Sequence, residues 1–98
     1  MNIITEKNNG TTVIKLEGRL DTTTAPELEK TINDEGETLR SLVIDFKSVN
    51  YISSAGLRVL LGAQKKMNAQ GSMELINVNE DVMDIFEMTG FADILTIK

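Results

Sequence analysis

Ser53-Ser54-Ala55-Gly56-Leu57-Arg58 is a short polar step between two apolar runs of different period. The run before it, Leu42-Val43-Ile44-Asp45-Phe46, is rich in β-branched and large apolar residues and reads as a strand. It is continuous rather than alternating, as expected of a central strand flanked by neighbours and covered on at least one face. Val49, Tyr51 and Ile52 carry apolar character up to the serines. The run after the step, from Ser54 to about Gln70, places Leu57, Leu60, Leu61 and Met67 at near-helical spacing, with Arg58, Lys65 and Lys66 outside. A strand-to-helix step aims backbone N–H groups outward, and there an α/β chain presents a hydroxyl to a partner.

Outward from this step, the N-terminal side supplies a hairpin. Ile3, Ile4 and Thr5 form a strand stopped by Asn8-Asn9-Gly10, whose residues tolerate the positive φ of a tight turn, and β-formers resume over 11–16. Gly18-Arg19-Leu20-Asp21 and the run Thr22-Thr23-Thr24 lead into a helix. Thr24 reads as its N-cap, with Pro26 in the first turn and Glu27 at the third position of a capping box. Ala25, Leu28 and Ile32 form its apolar stripe, Glu29, Lys30 and Asn33 face water, and Gly36 ends it.

On the C-terminal side, Gly71 is a suitable terminator for the central helix, and residues 73–78 read as a strand. Asn79 caps a last helix that turns Val82, Ile85 and Phe86 to the core and ends at Gly90. Residues 91–97 supply a closing strand. The order β-β-α-β-α-β-α-β is that of an α/β chain with mainly parallel strands, and with only three short helices a mixed sheet of about five strands is expected, its helices unevenly distributed or all on one face.

Composition removes whole classes of chemistry. The chain has 98 residues, enough for one core, with 41% apolar and 26% charged residues. It contains neither cysteine nor histidine, so a disulfide framework, a thiol nucleophile and a Ser-His-Asp relay are all ruled out. A metal site would have to be built from carboxylates alone. The net charge of −5 and the dispersal of ten basic residues argue against nucleic acid as a partner. No run of 18 apolar residues suggests membrane insertion, and the first ten residues hold no apolar leader core, so a cytoplasmic location is expected.

Within those bounds, Ser54 has two readings: a cap for the helix that follows, or a hydroxyl whose phosphorylation changes what a partner meets. A serine hydrolase fails without a G-x-S-x-G elbow, and solitary Gly56 cannot form a phosphate-cradling loop. Asp21 and Asp45 could line a common rim, or be respectively turn chemistry and a strand-face residue. Arg58, Lys65 and Lys66 read as a solvated helix face, and Met67, Met83 and Met88 as core or its edge.

Taken together, Gly18-Arg19-Leu20-Asp21, Leu42-Val43-Ile44-Asp45-Phe46, the stretch from Tyr51 to Leu61 (YISSAGLRVLL) and Ile85-Phe86-Glu87-Met88-Thr89-Gly90-Phe91 resemble the STAS family, specifically its stand-alone bacterial anti-sigma factor antagonists. Four blocks in register span nearly the whole chain, implying a single STAS domain over residues 1–98. The resemblance implies no enzyme and no cofactor but a partner switch. The unphosphorylated protein would bind an ATP-dependent anti-sigma factor serine kinase and free a sigma factor. Phosphorylation would release it, and a phosphoserine phosphatase would restore it.

In the family pattern Asp-Ser-Ser/Thr-Gly-Leu the modified serine falls on Ser54, while Gly56 and Leu57 match the Gly-Leu. Asp21 matches the acid after Gly-x-Leu, implying a partner-binding rim of Asp21, Thr22 and Thr23 with Ser53, Ser54, Ala55, Gly56, Leu57 and Arg58. Two departures stand out: Ser53 replaces the acid, adding a second candidate hydroxyl, and Ala55 replaces a hydroxyl residue. The alternative is a STAS subunit that docks, unphosphorylated, in a larger transporter-associated complex. A phosphocarrier component is disfavoured by the missing histidine.

Overall fold

The computed structural model describes residues 1–98. Strands β1 (Asn2–Asn8) and β2 (Thr11–Leu20) form an antiparallel hairpin. Its two-residue turn places Asn9 at φ 50° and Gly10 at φ 83°, the left-handed pair that Asn-Gly accommodates at little cost. Helix α1 (Ala25–Asp34) crosses to β3 (Ser41–Ile52), and α2 (Ser54–Gln70) crosses to β4 (Ser72–Ile76), both strands being parallel to β2. Helix α3 (Glu80–Thr89) follows. The sheet order is β1-β2-β3-β4. Because the chain moves steadily in one direction across the sheet, right-handed crossovers bring α1 and α2 to the same face. That face is the core: Ile14 and Leu16 of β2, Leu42, Ile44 and Phe46 of β3, and Met73 and Leu75 of β4 are buried, while the alternate residues Val13, Val43, Asp45 and Glu74 are only partly covered.

The helices pack through the stripes their periodicity announced. Ala25, Leu28 and Ile32 of α1, Leu57, Leu60 and Met67 of α2, and Val82 and Phe86 of α3 join the strand residues in one cluster. Phe86 meets Phe46 edge to face, with ring centroids 6.2 Å apart. Asn79 caps α3, its side chain accepting from the Val82 N–H at 2.9 Å and its amide donating to the Val49 carbonyl. Gly90 ends α3 in the left-handed conformation, φ 81°.

Four expectations are corrected. The sheet has four strands, not five: after Gly90 the chain forms a 3-10 turn, Phe91–Asp93, closed by Ile94 N–H and Leu95 N–H donating to the Phe91 carbonyl. Only a single parallel bridge, Leu75 to Ile97, remains of the closing strand. Packing Phe91 and Ala92 against the core from a turn leaves too little chain to form a ladder. Strand β3 runs on to Ile52, because two register shifts against β2 each insert one extra β3 residue. The shifts let Phe46, Val49 and Ile52 all face the core although they break period-2 alternation. Leu61 lies outside the core cluster, and Met88 projects into solvent, 86% exposed, while Met67 is buried and Met83 packs at the core's edge. The fourth correction, the capping chemistry ahead of α1, belongs to the site; the helix itself starts where expected, with Thr24 at the N-cap position.

Candidate functional site

Parallel pairing sets the site. Leu20 and Ile52 are register partners at the C-terminal ends of β2 and β3, so the segments that follow them, 21–24 and 53–54, emerge side by side. The Ser53 N–H donates to the Leu20 carbonyl at 2.9 Å and ties the two together. Gly56, in the first turn of α2, lies directly against this join: a Cβ there would stand 2.8 Å from Leu20 Cγ, 2.9 Å from Ile52 Cγ1 and 3.0 Å from the Leu20 carbonyl oxygen. The bare glycine backbone therefore lets α2 begin on top of the β2 end.

The Asp21 segment is a helical turn capped by its own acid. Asp21 Oδ1 accepts from the Thr23 N–H (3.0 Å), the Thr23 hydroxyl (2.8 Å) and the Thr24 N–H (3.2 Å), while the Asp21 carbonyl accepts from the Ala25 N–H (2.8 Å). This is cap-type bonding set three residues ahead of Thr24, which holds the N-cap position of α1 as expected. The Thr24 side chain makes no cap bond. Its hydroxyl donates to the Arg19 carbonyl at 2.6 Å and accepts from the Asp21 N–H at 2.8 Å, so the expected capping box with Glu27 does not form. The Thr23 hydroxyl, helped by the Thr23 and Thr24 N–H groups, holds the Asp21 carboxyl below its ordinary 3.8 against a partial desolvation that pushes the other way.

The two serines have different surroundings. Ser53, not Ser54, occupies the N-cap position of α2, and neither its hydroxyl nor any other side chain caps the helix. Ser53 Oγ is buried and makes no hydrogen bond. Ser54 is the first residue of α2 and is exposed. Ala55 is partly covered, Gly56 and Leu57 are buried, and Arg58 is exposed one turn further on. Leu57 is thus a core residue that fixes the helix, with its N–H donating to the Ser53 carbonyl at 3.0 Å, while Thr22, Thr23, Ser54 and Arg58 form the accessible surface of the rim.

Asp45 does not join this rim. It pairs in register with Lys15, seven positions before Ile52, which at about 3.3 Å per strand residue puts it roughly 20 Å away. There its carboxylate accepts from the Lys47 N–H and the Asn77 amide and fastens the turn after β4. The structure instead adds two residues that sequence reasoning missed. Arg19 lies over the Tyr51 ring, 4.2 Å from Cζ to centroid, and its Nε is 3.6 Å from Asp21 Oδ2. The two are parallel register partners, and nothing in a single sequence marks residues 32 positions apart as neighbours.

No three acidic side chains converge on a cation-sized point. No helix is long and apolar enough to cross a membrane. What the arrangement offers is an exposed hydroxyl at the start of a 17-residue helix, beside a rigid, self-capped acidic turn.

Comparison with known proteins agrees with this architecture. An anti-sigma-B factor antagonist of Bacillus subtilis (strain 168) is 32% identical over 99 residues, covering 100% of this chain and 91% of that protein. Among solved structures, an anti-sigma factor antagonist from Mycobacterium paratuberculosis superposes with a TM-score of 0.89 at 24% identity, covering 98% of this chain and 83% of that one. The Bacillus cell fate determinant SpoIIAA in its phosphorylated form superposes with a TM-score of 0.76 at 20% identity, covering 99% and 91%. The STAS domain model matches residues 2–98, and with the four-stranded mixed sheet and one-sided helices described above, this chain belongs to the STAS domain family.

Proposed function

We propose that this chain is an anti-sigma factor antagonist that works in the cytoplasm as a phosphorylation-controlled partner switch, by binding rather than by catalysis. Unphosphorylated, it binds an ATP-dependent anti-sigma factor serine kinase and thereby frees a sigma factor. Phosphorylated on Ser54, it is released, and a phosphoserine phosphatase returns it to the binding form. The single observation that carries this reading is the contrast between adjacent hydroxyls: Ser54 is exposed at the start of α2, whereas Ser53 Oγ is buried. In-line phosphoryl transfer needs an acceptor oxygen that can approach the γ-phosphate, a requirement Ser54 meets as it stands. The similar Bacillus subtilis anti-sigma-B factor antagonist supports the partner class, and the phosphorylated form of SpoIIAA supports the modification.

The physical effect is local. A phosphate adds about −1.5 to −2 charge, which a helix N-terminus tolerates, so the domain stays folded. Across a docked interface the same charge must be desolvated or face acidic groups, and binding is lost. Ser54→Ala therefore binds the kinase whether or not ATP is present, and Ser54→Asp binds it weakly. The test is a pull-down with the tagged chain from lysate of its source cells, with and without ATP, followed by phosphopeptide mapping. Recovery of a kinase that ATP releases, with phosphate on Ser54, is expected. Phosphate on Ser53 alone refutes the assignment, and an ATP-insensitive, unmodified complex with transporter subunits favours the docking reading.

A further inference from the structure

We propose that Arg58 is the internal receptor of a phosphate on Ser54, so that modification both adds a charge and withdraws a free guanidinium from the rim. The inference rests on the reading of Ser54 given above. Ser54 and Arg58 stand four residues apart in α2, the spacing that brings two side chains onto one face with Cβ atoms about 5–6 Å apart. Helical side chains lean back over the preceding turn. Arg58 also lines a hollow of about 200 Å³ with Ala55, Thr22 and Pro26, and Ser54 stands outside it.

Arg58 is also uncommitted. The ion pairs of the molecule are Lys7–Glu35, Lys15–Glu6, Arg19–Asp21, Lys30–Asp34 and Lys98–Glu74, and none involves it. Glu29 lines the other side of the hollow without pairing with it. The remaining cations are placed differently: Arg19 is held by Tyr51 and Asp21, Arg40 donates to the Glu37 and Leu39 carbonyls, Lys47 lies in β3, and Lys65 and Lys66 lie three turns along α2, more than about 15 Å down the axis. An acid that precedes a base by four residues is the favourable orientation in a helix. A dianionic phosphate meeting the planar guanidinium fork makes that pair charge-assisted and bidentate.

Phosphoserine installed at position 54 during translation gives the modified chain without any kinase, so the outcome does not depend on which enzyme acts on it. Phosphorus NMR then reads the second ionisation of the phosphate. It is expected about 0.3–0.7 unit lower in the otherwise unaltered chain than in Arg58→Gln, with Arg58→Lys between them and Lys66→Gln matching the unaltered chain. The difference shrinks as salt is raised to 1 M, where screening acts over about 3 Å. Equal ionisation with and without Arg58, in chains shown by circular dichroism to be folded, overturns the proposal and leaves the modification of Ser54 standing. Failure of a kinase to modify Ser54 overturns the earlier reading and leaves the phosphorus result intact.

Discussion

Replacing Gly56 by alanine tests how the site is assembled. The added methyl would sit 2.8 Å from Leu20 Cγ and 2.9 Å from Ile52 Cγ1, where carbon atoms prefer about 3.5–4.0 Å, and 3.0 Å from the Leu20 carbonyl oxygen. None of these neighbours retreats freely. Leu20 is 0% and Ile52 3% exposed, and the Leu20 carbonyl is held by the Ser53 N–H. Overpacking of this kind costs about 1–3 kcal/mol, and alanine's better helix propensity returns at most about 1 kcal/mol. With that full return the expected net loss is about 0–2 kcal/mol, at about 4–8 °C in Tm per kcal/mol for a domain of this size. Gly62 in the same helix is the control: nothing lies within 4 Å of its would-be Cβ, so Gly62→Ala gains about 0.5–1 kcal/mol from propensity alone. Urea unfolding followed by circular dichroism, compared at unchanged m-value, reads both. A Gly56→Ala chain as stable as Gly62→Ala would refute the claim that α2 starts in contact with the β2 end.

Three further outcomes follow from the same geometry. Asp21 has its carboxyl held below the ordinary 3.8 by the Thr23 hydroxyl and the N–H groups of Thr23 and Thr24, so its contribution is present above the unfolded value and fades as pH falls through the lower folded one. The Tm gap between the unaltered chain and Asp21→Ala should be widest above about pH 4 and close below it, in melts from pH 2.5 to 6; a gap that widens on acidification contradicts the assignment. Asn79→Ala removes both the cap on the Val82 N–H and the bond to the Val49 carbonyl, and should cost about 1–2 kcal/mol in urea unfolding. Phe86→Ala should cost about 3–5 kcal/mol, because it empties the contact with Phe46, whereas Met88→Ala, two residues on but 86% exposed, should stay within about 0.5 kcal/mol in the same assay.

The parts of this molecule that were legible beforehand are those governed by local rules. Asn9-Gly10 turns because few residues tolerate two consecutive left-handed conformations, Asn79 caps because its side chain reaches an orphan N–H three residues on, and the stripes of α1 and α3 face inward because their period is helical. Three features of the capping, strand and closing segments were not legible, each because a competing partner won. Thr24 abandoned its cap to reach the Arg19 carbonyl, and Asp21 took over the role. Strand β3 outlasted its apolar run because bulges against β2 re-aimed Val49 and Ile52 inward. Residues 91–97 have strand composition but were drawn into a turn by the packing of Phe91.

The candidate site divides in the same way. Ser54, Asp21 and Gly56 were singled out by the sequence, where the four motif blocks gave the register and the absence of histidine and cysteine argued against a catalytic relay at a strand-helix step. Which serine is accessible, the seating of Gly56 on the Leu20 carbonyl, the Arg19–Tyr51 stack and the remoteness of Asp45 were decided by the tertiary structure alone. The reason is physical: a sequence specifies periodicity, capping chemistry and backbone permissiveness, which act within a few residues, whereas burial of a given oxygen and the neighbours of a given ring depend on which strands lie side by side and in what register.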